Sequence, residues 1–448
     1  MNPVSISLAL LLASALCSAA DAPAPAPDGL TPIGAEQAGN AAGTIPPWTG
    51  GLMEAPASYQ TGKHETNPFP EDKPLFQINA SNAADYAKYL TPGQRALLAR
   101  YPDTWHMNVY QSRRSASFPD FVYEAIAGNG ETARVSLEGR GGVEGARVSS
   151  PFPRPSSGVE AVWNHNLRFR GLRVKRAEGS AAVTRGGRYT TVISRQDWGF
   201  AYGVPHPTPF TQRYPNVLLA VKSKVIEPSL LSGDGTLVFE TINQTNDPRK
   251  AWLYPRALRR VLRSPFFGYE IPAGNMDGLR TVDDFGLYNG SPDRYDWILL
   301  GKQELYIPYN AYGLHGPQVG YEDIVRTGHI NPDHARYELH RVWVVEGRLK
   351  EGARHIYGRR VFYLDEDSWQ IAVADSYNTD GELWRVNEAH AINYYTVPVL
   401  WTTLEVFHDL LSGRVLVNGL DNRHGPYVFR DRADPREFSP IALVYYLR

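Results

Sequence analysis

The second half of the chain is a succession of short strand patterns separated by tight turns, with no helical crossover between them, and that spacing leaves few folds open. Tyr337 to Val345 alternates up to Val342. Val361 to Leu364 and Gln370 to Asp375 enclose the acidic turn Asp365-Glu366-Asp367-Ser368, and Glu382 to Val386 follows Asp380-Gly381. Thr403 to His408 is joined to Arg414 to Asn418 through Leu411-Ser412-Gly413. Parallel neighbours need long connections, usually helices, so the pattern predicts an antiparallel meander. No internal repeat of fixed period occurs, which argues against a propeller. The expected fold is mainly β with a few helices: a large curved antiparallel sheet, a half-barrel, with the helices on its concave face.

The remaining local signals lie earlier. Phe121 to Ala127 and Ala133 to Leu137 flank Gly128-Asn129-Gly130, residues that tolerate positive φ, and predict a hairpin. Ser81 or Asn82 is expected to cap a short helix through Leu90. Thr91-Pro92-Gly93-Gln94 reads as a capping box with proline at the first helical position. A third helix is expected over Gly158 to Phe169, where Val159, Val162, Trp163 and Leu167 fall on one face.

Residues 1–20 carry an export signal: an apolar run from Ile6 to Leu16, too short to span a bilayer, followed by the small residues Ser18-Ala19-Ala20. Cleavage there would place the mature protein outside the cytoplasm. Cys17, the one cysteine of the chain, lies inside this segment behind Leu16. Lipid attachment favours a small residue before the cysteine, so simple cleavage is the expectation. The mature chain then has no disulfide, thiol nucleophile or cysteine-bound metal, and is long enough to bury a core without them. Residues 21–50 are rich in Ala, Pro and Gly and read as an N-terminal segment whose later part, with Ile45 and Trp48, is ordered against the body. Residues 51–448 are expected to form one large β domain.

Forty-six basic against 47 acidic residues give a net charge of −1, which speaks against a nucleic-acid binder. The 26 Tyr, 16 Phe and 10 Trp suit either sheet packing or the walls of an apolar pocket. Asp283-Asp284 and Asp365-Glu366-Asp367 could pair carboxylates for glycoside hydrolysis or hold a cation, but turn chemistry alone accounts for them. His329, His334 and His340 do not make a zinc-protease helix pair, and no nucleophile elbow, phosphate loop or dinucleotide fingerprint occurs. The candidate ligand residues are Trp163, Asn164, His165 and Arg168 on the third helix, together with Arg256 and Arg260 of the basic stretch that continues to Arg263. If extended, Arg259 and Arg263 share one face and Arg256 and Arg260 the other. No catalytic residue, cofactor or metal is assigned.

Certain strings are recognisable in order along the chain. They include Gly43-Thr44-Ile45-Pro46 with Trp48-Thr49-Gly50-Gly51, Leu90-Thr91-Pro92-Gly93-Gln94, Pro151-Phe152-Pro153 leading to Trp163-Asn164-His165, and Ile307-Pro308-Tyr309-Asn310. They continue with Arg336-Tyr337-Glu338-Leu339-His340-Arg341-Val342-Trp343 and Phe362-Tyr363-Leu364-Asp365-Glu366-Asp367-Ser368-Trp369. In these the chain resembles the secreted family catalogued as domain of unknown function 1329, related to outer-membrane lipoprotein-sorting (LolA/LolB-like) proteins. The resemblance implies a half-barrel whose apolar concave face holds acyl chains. It also implies work near resistance-nodulation-division transporters and outer-membrane proteins. The family has no settled activity or catalytic residues to carry over. A periplasmic carrier of a lipid-like hydrophobic molecule is the first expectation. A periplasmic hydrolase of glycan or lipid, and a partner of an outer-membrane protein without a small ligand, are the alternatives.

Overall fold

In the computed structural model the described residues are 29–137, 142–264 and 268–448; the export signal, Cys17 and the start of the Ala/Pro tract lie outside them. The first elements are β1 (Phe76–Ile78), α1 (Pro92–Arg100), β2 (Met107–Tyr110), α2 (Asp120–Thr132), β3 (Arg134–Ser136), β4 (Gly142–Glu144) and α3 (Gly158–Leu167). A first meander follows: β5 (Arg173–Val183), β6 (Thr191–Phe200), a short α4 (Pro209–Arg213), β7 (Val217–Glu227), β8 (Gly235–Thr241), β9 (Lys250–Tyr254) and β10 (Leu262–Ser264). The second comprises β11 (Tyr295–Pro308), a short α5 (Tyr321–Ile324), β12 (Tyr337–Leu349), β13 (Arg359–Asp365), β14 (Ile371–Tyr377), β15 (Leu383–Tyr394), β16 (Val399–Asp409) and β17 (Arg414–Leu420). β18 (Val428–Arg430) and α6 (Pro440–Leu447) close the chain.

All but the β3–β4 ribbon join one sixteen-stranded sheet, in the order β1-β2-β12-β13-β14-β15-β16-β17-β5-β6-β7-β8-β9-β10, with β11 on β12 and β18 on β5. Every pairing is antiparallel except the short contact of β2 with β12. The two meanders are fused where β17 lies against β5. The sheet stays open rather than closing into a barrel, so the mainly β, half-barrel expectation holds. Among the described residues no helix is long and apolar enough to cross a membrane.

α1 begins as expected: the Thr91 hydroxyl accepts from the Gln94 N–H and the Gln94 side chain accepts from the Thr91 N–H. α3 starts one residue after Ser157, whose hydroxyl caps Glu160. Ile45 and Trp48 are buried, as their segment's anchors should be.

Two local expectations fail. The hairpin around Gly128-Asn129-Gly130 is instead the C-terminal part of α2. Val122, Ala125, Ile126 and Asn129 are buried at helical spacing. The Asn129 amide donates to the carbonyls of Arg147, Ser149 and Ser150, so tertiary bonds override the local turn preference. Between Ser81 and Leu90 the chain makes successive turns ending in a 3-10 turn, Ala87–Tyr89, rather than a helix. There the Asn79 and Asn82 side chains bond nearby backbone, the usual competitor of helix formation.

Candidate functional site

Successive side chains of a strand point to opposite faces, so register decides which residues meet. On the inner face of the first meander, Trp198, Val221 and Val238 stand side by side on β6, β7 and β8; the next row is Gln196, Ser223, Thr236 and Leu253. Above these rows crosses the chain between the meanders, residues 271–289, which we call the strap. Between sheet and strap lies a cavity of about 570 Å³, within the ~300–1,000 Å³ usual for small-molecule sites. Its walls are chiefly aliphatic and aromatic: Leu219, Val221, Val225 and Val238 from the sheet, Ile271, Met276 and Phe285 from the strap.

The strap is pinned by the acidic pair noted in the sequence. A 3-10 turn over Val282–Leu287 starts at Thr281, whose hydroxyl donates to Asp283 at 2.6 Å and to Asp284 at 2.7 Å. Both carboxylates meet the fully buried Arg360 of β13: Nη1 lies 2.8 Å from Asp283 and Nη2 bonds Asp284. His355 and the Tyr357 hydroxyl complete the cluster, at 3.2 Å from Asp283 and 3.0 Å from Asp284. Burial would raise the Asp283 pKa, but Arg360 and then His355 hold it well below the usual carboxylate range. Phe285 stacks on Trp198 with ring centroids 5.0 Å apart, and Gly286 takes a positive φ of 62° that lets the turn reverse. These residues therefore anchor the cavity's cover.

One end of the cavity is polar. Glu178 accepts from Gln196 at 2.8 Å and lies 3.2 Å from Arg176. Glu405 accepts from the Gly286 N–H at 3.0 Å and from Asn418 at 3.4 Å; burial raises its pKa, with Arg280 acting against that shift and the like charge of Glu178 adding to it. Arg280 of the strap reaches this end, its Nη1 3.7 Å from Glu405.

The residues singled out from the sequence lie elsewhere. Trp163, Asn164, His165 and Arg168 are buried in α3 and at its end, packed between the second meander and the strap, and none lines the cavity. Asn164 exchanges two hydrogen bonds with the Phe152 backbone. The His165 ring contacts the Trp369 and Tyr288 carbonyls at 3.0 and 3.1 Å, and burial followed by the adjacent Arg168 keeps it neutral. Arg168 donates to the Gln370 side chain at 2.7 Å and stands against Gly286 of the strap. Arg256 and Arg260 are exposed. The segment is not extended but makes a 3-10 turn with Arg259 left-handed, and Arg256 bonds the Ser229 and Ser232 carbonyls beside the cavity's rim.

The second acidic cluster is a turn, but a buried one. Arg114 grips Asp367 with two bonds of 2.9 and 2.7 Å, and Glu366 meets Lys302 at 2.9 Å and Arg341 at 3.2 Å. His340, Asp365 and Asp367 bring ligand atoms within 4.8 Å of one another. Both Asp367 oxygens, however, are already engaged by Arg114, which leaves an ion-pair network rather than a cation cage. Sequence reasoning missed the cavity wall, because β5 to β10 carry no motif and their contribution appears only once the register aligns alternate residues.

The model of the protein family of unknown function DUF1329 matches residues 77–444. The chain belongs to the DUF1329 family. A relative from Pseudomonas aeruginosa, the uncharacterized protein PA3922, is 45% identical over 440 residues, covering 98% of this chain and 96% of its own length. Among solved structures, a putative outer membrane lipoprotein-sorting protein domain from Vibrio parahaemolyticus aligns with 64% of this chain and 98% of its own, at 14% identity and a TM-score of 0.43. A DUF1329 protein from Desulfovibrio piger aligns with 61% of this chain and 92% of its own, at 16% identity and a TM-score of 0.42.

Proposed function

We propose that this DUF1329 protein is a periplasmic binding or carrier protein for a lipid-like, hydrophobic molecule. The observation that carries the reading is the apolar cavity of about 570 Å³ between β6–β9 and the strap. Exposing an acyl chain to water costs ~0.8 kcal/mol per CH₂, and an apolar cavity removes that cost without chemistry. Export from the cytoplasm rests on the signal in residues 1–20, and the periplasm is the compartment we propose from the resemblance to lipoprotein-sorting proteins. Delivery to or from an outer-membrane protein or a resistance-nodulation-division transporter is part of the proposal. The candidates Trp163, Asn164, His165 and Arg168 enter it as the support behind the strap, and Arg256 as a residue of the rim. A hydrolase reading has less support, because Asp283 and Asp284 are committed to Arg360 and Asp283 is held ionised rather than poised to donate a proton.

Native mass spectrometry of the protein purified from its own source tests the reading. The expected result is a non-covalent adduct of lipid mass that organic extraction removes. A bare polypeptide mass, with no uptake of long-chain amphiphiles after reconstitution, would count against a carrier.

A further inference from the structure

Arg280 is an unusual residue to find on the wall of an apolar cavity. Its side chain is 12% exposed, and among the described residues it makes no hydrogen bond to protein; the Nε atom is fully enclosed without a partner. What it has instead are the rings of Phe285 and Phe407, each 5.8 Å from the guanidinium, and Glu405 at 3.7 Å, beyond hydrogen-bond reach. A guanidinium presents five donors, and leaving them unmet in an enclosed site is costly.

The charges around it do not cancel. Glu178 and Glu240, which line the cavity, are each matched by a buried guanidinium, Arg176 and Arg249. Asp234, the third carboxylate of the lining, accepts from the Arg256 backbone N–H, and Glu405, which stands beside the polar end, accepts its bonds from Gly286 and Asn418. Behind the wall, Arg168 and Arg170 are buried with no carboxylate within ion-pair distance among the described residues. Burial first, and then the Arg168–Arg170 repulsion for Arg168, makes these two charges costly and lowers their pKa values. Arg168 stands beside Gly286, the neighbour of cavity-lining Phe285, and Arg170 stacks on Phe200, which stacks in turn on Trp198. Around the polar end of the cavity buried guanidinium groups therefore outnumber the carboxylates that pair with them, and the Arg280 donors remain unmet.

We infer that the cavity takes a single-chain amphiphile with an anionic oxygen head group, a carboxylate or phosphate monoester, which Arg280 grips while the tail lies along Val221, Val238 and Leu253. The inference rests on the carrier reading and narrows it. A planar guanidinium matches such oxygens with paired hydrogen bonds. The tail supplies most of the affinity and the head sets orientation.

The test titrates delipidated full-length protein with three probes of equal chain length: a long-chain fatty acid, the corresponding fatty alcohol and the corresponding lysophosphatidate. Wild type is expected to bind at least one anionic probe ten-fold or more tightly than the alcohol, and the stronger of the two identifies the head. Arg280→Gln is expected to bring that probe to the alcohol's level, while Arg280→Lys keeps part of the preference; circular dichroism verifies that each variant is folded. Equal binding of alcohol and anions by wild type overturns the head-group assignment and leaves the carrier reading standing, as does an anion preference that persists in Arg280→Gln. Binding of none of the three overturns both.

Discussion

At the scale of single residues, burial sets the chemistry more than sequence neighbours do. Glu388 on β15 is buried between the Tyr337 hydroxyl, at 3.0 Å, and the Gln94 amide, at 3.4 Å. Burial pushes its pKa up to about 7. A carboxyl group raised in the folded state binds its proton more tightly than in the unfolded chain. Its contribution to stability is therefore complete below the ordinary value of 4.5 and is lost as pH rises towards and through 7. In denaturant unfolding between pH 4.5 and 7, Glu388 should contribute a downward slope of up to about 1.4 kcal/mol per pH unit, superposed on the upward slope of the buried, neutral His390 and His408. Glu388→Gln should flatten that slope; an unchanged slope would mean the carboxyl titrates normally. Other residue-level features were legible in advance because they are local. Thr91 and Gln94 make their capping box from a four-residue signature, and Thr91→Ala should lower stability by about 0.5–2 kcal/mol, measured by thermal or urea unfolding; no change would show the cap to be redundant. Arg280 was not legible, since a lone arginine in a coil has no signature and its meaning comes from Glu405 and Phe407, both distant in sequence.

At the scale of elements, alternation and turn residues located most strands of the second meander, from β12 to β17, because each has one face rich in apolar residues and a short turn at its end. Helix α2 shows where local reading stops: Gly128-Asn129-Gly130 is good turn chemistry, yet Asn129 is drawn inward by three carbonyls. The strap is the element with most bearing on function, and its hold is the Asp283–Asp284–Arg360 cluster. Removing one partner of a buried ion pair leaves uncompensated charge and typically costs about 3–5 kcal/mol. Arg360→Met should therefore destabilise the protein and, in hydrogen exchange at low denaturant, speed exchange across residues 271–289 before the sheet opens. Exchange that rises uniformly, with no early response in the strap, would show that the cluster serves the whole core rather than the cover.

At the scale of the molecule, the open, mainly β architecture followed from the succession of strands without crossovers. The joining of β17 to β5, which fuses two meanders into one sheet, did not. Neither did the cavity, which needs the register of four strands and a strap from between the meanders, and no local pattern encodes that coincidence. The acidic clusters read as turn residues turned out to lie in turns, but buried ones that tie segments together. The central claim is that the space between β6–β9 and the strap holds an apolar ligand, and filling it tests this most directly. Val221 lies in the middle row of the floor, so Val221→Trp should occupy the space a tail would take. Delipidated wild type titrated with a fluorescent long-chain fatty acid should bind at micromolar concentration or below and gain thermal stability, whereas Val221→Trp, folded by circular dichroism, should lose at least ten-fold in affinity. Equal binding by the two proteins would place the ligand elsewhere, and no binding by wild type would contradict the account.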